Sequence, residues 1–202
     1  MQRLLRSVAV LLVVVFIPKA ANAEWQLKPF GGITFGGDTT LVSDLDGAAG
    51  SRKLNLGISG MWLGEVIGLE GEVATTAGFF TGDSGSASRI ILRSHVATVT
   101  GNVVVALPKR IAQYSLRPYA VGGLGAMQIG ITDNQDTPLG GSIYRSAWDV
   151  GGGATGFLSD FVGVNWDVRF FKTTSGNAAA GRSLADGKLS FWRATMGFAF
   201  RL

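Results

Sequence analysis

From Trp25 to the end of the chain, hydrophobic side chains recur at every second residue, in stretches separated by polar or glycine-rich breaks. A period of two belongs to β-strands, whose side chains point alternately to opposite faces, whereas an amphipathic helix repeats every 3.6 residues. The last stretch alternates most cleanly. Trp192, Ala194, Met196, Phe198, Phe200 and Leu202 share one face, and Arg193, Thr195, Gly197, Ala199 and Arg201 share the other. The stretch before it sets Val162, Val164, Trp166, Val168 and Phe170 against Gly163, Asn165, Asp167 and Arg169.

Six further strands are predicted at 25–36, 53–64, 66–80, 89–106, 115–131 and 143–158, giving eight. The first opposes Trp25, Leu27, Ile33 and Phe35 to Gln26, Lys28, Gly32 and Thr34. The third opposes Ile67, Leu69 and Val73 to Gly68, Glu70 and Glu72. In the fourth, Arg93 and His95 share a parity with Ile91, Val99 and Val103, so a bulge or register change is expected there. Breaks at 37–52, 81–88, 132–142 and 175–187 are long and polar, and those near 65, 107–114 and 159–160 are short. Long and short alternate strictly. That pattern is expected when consecutive antiparallel strands of a closed barrel are joined first at one rim and then at the other. No helical segment interrupts the strands, which excludes parallel sheets built with crossover helices.

Thirty of the 202 residues are glycine, about twice the usual share, and only 16% are charged. With 47% hydrophobic residues the chain carries too much apolar surface for disorder. It has no cysteine, hence no disulfide framework, thiolate metal site or cysteine nucleophile. Its formal charge of +4 suggests nucleic acid only until the basic residues are located. Arg3, Arg6 and Lys19 lie within the first 23 residues, and without them 15 basic residues face 14 acidic ones. Nucleic-acid binding is not expected.

Residues 1–23 read as a secretory signal peptide. Arg3 and Arg6 precede the apolar run from Val8 to Ile17, and Ala21-Asn22-Ala23 ends the segment ahead of Glu24. Cleavage is expected after Ala23, leaving one domain at 24–202. No later segment offers the roughly 18 consecutive apolar residues of a transmembrane helix. A membrane protein of this kind crosses by strands.

An eight-stranded barrel has an interior that side chains just fill. The polar faces of these strands carry glycine, alanine, serine, threonine and a few charges, which suits a crowded interior. The apolar faces carry the bulk, with too little Lys and Glu for a water-facing wall. The expected architecture is therefore an all-β, eight-stranded antiparallel up-and-down transmembrane barrel. Lys28, Arg169, Arg193 and Arg201 should face Glu70, Glu72, Asp149 and Asp167 in the lumen, four bases against four acids, as a network that plugs it. Trp25, Trp62, Tyr119, Trp148, Phe170 and Trp192 lie near strand ends on the apolar parity and are expected at the membrane interfaces.

The segments Arg117-Pro118-Tyr119-Ala120-Val121-Gly122-Gly123-Leu124-Gly125, Asp149-Val150-Gly151-Gly152-Gly153-Ala154, Asp167-Val168-Arg169-Phe170-Phe171 and the stretch from Trp192 to Leu202 resemble the small outer-membrane β-barrel proteins of the OmpA/OmpX-like type. The resemblance covers residues 24–202 and is specific for the class. It implies a place in the cell outer membrane, with outer-membrane lipids and lipopolysaccharide as expected partners. It also implies that Phe198, Phe200 and Leu202 act as the signal read by the outer-membrane assembly machinery, with Leu202 where Phe is commoner. The chain reads as a barrel alone, so the periplasmic anchoring role of larger OmpA-like proteins is not expected.

Gly151-x-Gly153-x-x-Gly156 matches a dinucleotide fingerprint but lacks the helix that the fingerprint needs, and is read as close strand packing. His95, the single histidine, invites comparison with barrel-embedded lipid enzymes. Its neighbour Ser94 should point to the opposite face. Asp44-Leu45-Asp46-Gly47 lacks the further ligands of a calcium loop and reads as a solvated turn. No catalytic, metal or cofactor site is expected. The expected function is structural or interactive, through four extracellular loops whose ligand the sequence does not name. The alternatives are a narrow pore for small solutes and a lipid-modifying enzyme using His95.

Overall fold

Strict alternation produces eight strands in the computed structural model, which describes residues 23–39, 51–79, 93–108, 111, 116–132, 141–174 and 188–202. They are β1 (Glu24–Thr39), β2 (Lys53–Leu63), β3 (Ile67–Ala77), β4 (Arg93–Ala106), β5 (Leu116–Thr132), β6 (Gly141–Phe157), β7 (Val162–Thr173) and β8 (Leu189–Arg201). The leader up to Asn22, the Asp44-to-Gly47 segment and most of the long breaks lie outside the described residues.

Each strand pairs antiparallel with the next, and β8 returns to β1, closing the barrel. Closure matters because an open sheet would leave an edge of unpaired amides and carbonyls, which hydrocarbon does not tolerate. Tight connections join β2 to β3 and β6 to β7, through Gly64 N to Ile67 O at 2.9 Å and Leu158 N to Val162 O at 2.9 Å. Among the described residues no helix is long and apolar enough to cross a membrane.

The pairing of β4 runs without a shift against both neighbours, from Ala77↔His95 to Ile67↔Val105 and from Arg93↔Thr132 to Ala106↔Tyr119. The irregularity expected in this strand lies in β1 instead. There the register against β8 slips between Phe35 and Asp38. Gly36 sits at the slip with φ of 57°, a left-handed conformation that glycine adopts without a Cβ penalty.

The outer wall carries the bulk. Phe198, Trp166 and Leu69 are 58%, 44% and 57% exposed, and Leu54, Leu124, Val99 and Met196 join them outside. Water would be a poor solvent for so continuous an apolar surface, whereas lipid tails suit it. Inside, large side chains lie opposite glycines. Gly57 and Gly197 flank the ring of Phe30 on either side, and a Cβ at Gly57 would overlap that ring.

Candidate functional site

The middle of the lumen is a belt of charge. Alternation sends Lys28 of β1, Glu70 and Glu72 of β3, Asp149 of β6, Asp167 and Arg169 of β7, and Arg193 of β8 inward, and all seven are buried. Arg169 is its hub. Its Nη2 lies 2.7 Å from Glu70 Oε1, its Nε donates to Asp167 Oδ1 at 2.7 Å, and its Nη1 lies 3.4 Å from Glu72 Oε2 and 3.6 Å from Asp149 Oδ2. Lys28 Nζ holds the other oxygen of Glu70 at 2.7 Å, and Arg193 Nη2 donates to Glu72. Asn102 and Ser59 also donate to Glu70, at 3.2 and 3.4 Å. Such pairing is required, because a desolvated charge without a partner costs several kcal/mol. Room for the long stems comes from the strand beside them. Gly151 is paired with Arg169, and a Cβ there would strike its backbone and Cγ.

Two apolar layers enclose this belt. Towards the long connections, Phe79, Val96, Met127, Ile129, Ala147, Phe171, Leu189 and Phe191 form one buried cluster. The rings of Phe171 and Phe191 stack at 5.3 Å, and Phe79 meets Phe191 edge-on at 5.2 Å. Towards the short turns, Met61, Leu63, Val104, Ala106, Tyr119 and Val121 form the other. The Arg193 guanidinium lies 4.4 Å from the Phe171 ring centroid and joins the belt to the upper layer. The lumen is thus stacked as apolar, charged and apolar.

Arg201 stands apart from the belt. It lies at the short-turn rim, where its Nε is 3.0 Å from Glu24 Oε2 and its guanidinium covers the Phe157 ring at 3.8 Å. Arg117, 3.7 Å from the other Glu24 oxygen, donates to the carbonyls of Gly64, Glu65 and Leu107 at 2.8, 2.6 and 3.0 Å. This cluster ties β1, β5, β8 and two turns together at the mouth. The belt itself therefore has four acids and three bases rather than four of each. Glu24, Arg117, Asn102, Asn165 and Arg145 are buried polar residues that the sequence reading did not single out.

Trp25 and Trp62 lie directly opposite each other on the outer wall near the short turns. Trp148, Phe170 and Trp192 lie on the outer wall near the long connections, with ring centroids 5.7 and 5.2 Å apart in sequence. Tyr119 does not belong with them. It is 7% exposed and faces the lumen, where its hydroxyl donates to Asp167 Oδ2 at 2.9 Å and accepts from Asn165 Nδ2 at 3.0 Å. The cause is parity, since Tyr119 is two residues from Arg117 and shares its inward face.

His95 is exposed on the outer wall with its ring against Gly130, while Ser94 is buried on the inner side. The glycine run from Gly151 to Gly156 lies within β6, and no helix follows it. Phe198 and Phe200 face outward, and Leu202 N bonds to Trp25 O at 2.9 Å across the closure. Among the described residues no group of three or more His, Asp or Glu side chains is arranged to hold a metal ion.

No protein-family model matches the chain, and no curated protein sequence does. Solved structures do. Neisserial surface protein A superposes with a TM-score of 0.58 at 9% identity, over 90% of this chain and 99% of that one. A major outer membrane protein from Thermus thermophilus gives 0.56 at 13% identity, over 89% and 99%. The N-terminal β-barrel domain of Pseudomonas aeruginosa OprF gives 0.55 at 14% identity, over 90% and 98%. At these identities the likeness is one of fold. Joined to an outer wall suited to hydrocarbon and an inner one built of charge and small residues, that likeness makes this chain a membrane-spanning β-barrel of the fold these outer-membrane proteins share.

Proposed function

We propose that the barrel is a sealed anchor that presents its four long connections at the cell surface, where they interact with a partner, and that it does not conduct solutes. The observation that carries this reading is the stacking of the lumen. An ion would have to cross two apolar layers, made of Phe79, Phe171 and Phe191 on one side and Met61, Leu63 and Val104 on the other, besides displacing the belt between them. A narrow pore finds no support in such an interior. A lipid enzyme using His95 finds none either, since Ser94 points into the lumen, away from the outward His95 ring. Long connections suit an interaction role, because loops on a rigid scaffold tolerate variation in sequence and length.

The absence of cysteine gives a clean test of orientation. Ser84→Cys, in a long connection, should react with a membrane-impermeant maleimide on intact cells. Asp160→Cys, in a short turn, should react only after lysis. Planar-bilayer recording of the refolded barrel should show no discrete conductance, and regular channel steps would overturn the sealed reading.

A further inference from the structure

The outward face of the eight strands is almost free of charge. Among its described side chains, the charged ones are Lys172 of β7 and Asp38 of β1. Beneath Lys172 on the same face run Val162, Val164, Trp166, Val168 and Phe170. Ten residue steps of about 3.3 Å, tilted by roughly 40°, place Lys172 about 25 Å above Val162, the height of a barrel's apolar band. Lys172 thus stands where hydrocarbon gives way to headgroups. It makes no ion pair with another described residue, and Asp38 lies two strands away in the same row, beyond Ser190, at about 10 Å.

The surroundings of Lys172 are specific. Trp148 is directly opposite it on β6, Ser190 directly opposite on β8, and Phe170 lies one step below. Phe170 contacts both Trp148 and Trp192, so three rings form a continuous aromatic shelf under one ammonium group and one hydroxyl. An ammonium at a headgroup level binds phosphate by charge-assisted hydrogen bonds, a hydroxyl adds a donor, and aromatic faces receive the C–H faces of a sugar and the first methylenes of an acyl chain. We propose that this shelf is a docking site for a phosphorylated glycolipid of the outer leaflet, the lipid A portion of lipopolysaccharide. The phosphate would sit on Lys172 and Ser190, the sugar on Trp148, and an acyl chain along Phe170 and Val168. The assignment to the outer leaflet rests on the long connections facing outward, which the maleimide labelling tests separately from lipid binding.

The test is native mass spectrometry of the refolded barrel released from nonionic micelles containing lipid A, dephosphorylated lipid A or phosphatidylglycerol. Heat-modifiable gel migration would confirm that each variant is folded. The wild type should retain lipid A over both other lipids. Lys172→Gln should weaken that retention roughly ten-fold, the order expected for a lost charge-assisted bond, and Lys172→Arg should restore it. Trp192→Leu should weaken lipid A with its phosphates intact. Equal retention of dephosphorylated lipid A, equal retention of phosphatidylglycerol, or a Lys172→Gln variant that binds like the wild type would each overturn the assignment.

Discussion

Arg169 and Glu70 stand on β7 and β3, four strands apart in an eight-stranded ring, and meet across the lumen at 2.7 Å. Opposite walls of the barrel are therefore held by a single strut, to which Lys28, Asp167 and Glu72 add their own attachments. Arg169→Met removes the hub and leaves Glu70 and Asp167 short of a partner in a buried site. A loss of about 3–5 kcal/mol is expected, read as a lower urea midpoint for the barrel refolded in lipid vesicles. The double replacement Lys28→Met with Glu70→Leu should cost less than Glu70→Leu alone, because it leaves one fewer buried cation without its acid.

Val99 and Thr98 are neighbours in β4 that face different solvents, one outward and one into the lumen. Val99→Arg should destabilise the barrel in bilayers by about 2–4 kcal/mol, the range for a cation near the midplane of the lipid face. Val99→Leu should be close to neutral. Equal tolerance of arginine and leucine at this position would show that the outer wall does not meet hydrocarbon.

Glycines on the two faces should respond in opposite ways. A Cβ at Gly101, on the outer wall, would meet nothing, whereas one at Gly125 would strike the carbonyl of Val99 and the backbone of Thr100. Gly101→Ala is expected to change stability by no more than about 0.5 kcal/mol. Gly125→Ala should lower the yield of the heat-modifiable folded form sharply.

Phe198 and Phe200 face outward on the strand that closes the barrel. Replacing both with serine should cut the amount of protein reaching outer-membrane fractions in cells. Refolding of the purified chain into detergent should be affected much less, since neither ring packs in the lumen. A parallel fall in both measurements would assign the two rings to stability alone, with no part in recognition by the assembly machinery.

Where a strand sets charge against bulk, its faces can be read directly. In β7, Asp167 and Arg169 against Trp166 and Val168 leave no choice of orientation, and β3 and β8 are equally plain. β5 is harder, because Gly122, Gly123 and Gly125 place small residues on both faces and weaken the contrast. Aromatic bulk near a strand end suggests the outer wall for Tyr119, whereas Arg117 two residues earlier carries the signal that this parity faces inward. The apolar layers of the lumen could not be seen for a related reason. Inward Val104 looks the same in sequence as outward Val103 and Val105, and only the closed sheet separates them. The position of Arg201 depends on registers at the closure, where β1 and β8 meet across the whole length of the chain, and alternation alone does not supply those.

The layering of the interior separates two duties that many channels assign to the same residues. In the sealed barrel proposed above, mechanical bracing resides in the ionic struts, while insulation would reside in the phenylalanine and methionine strata above and below them. On that reading, exchanging the central acids and bases would lower how much protein folds without opening a path through the lumen.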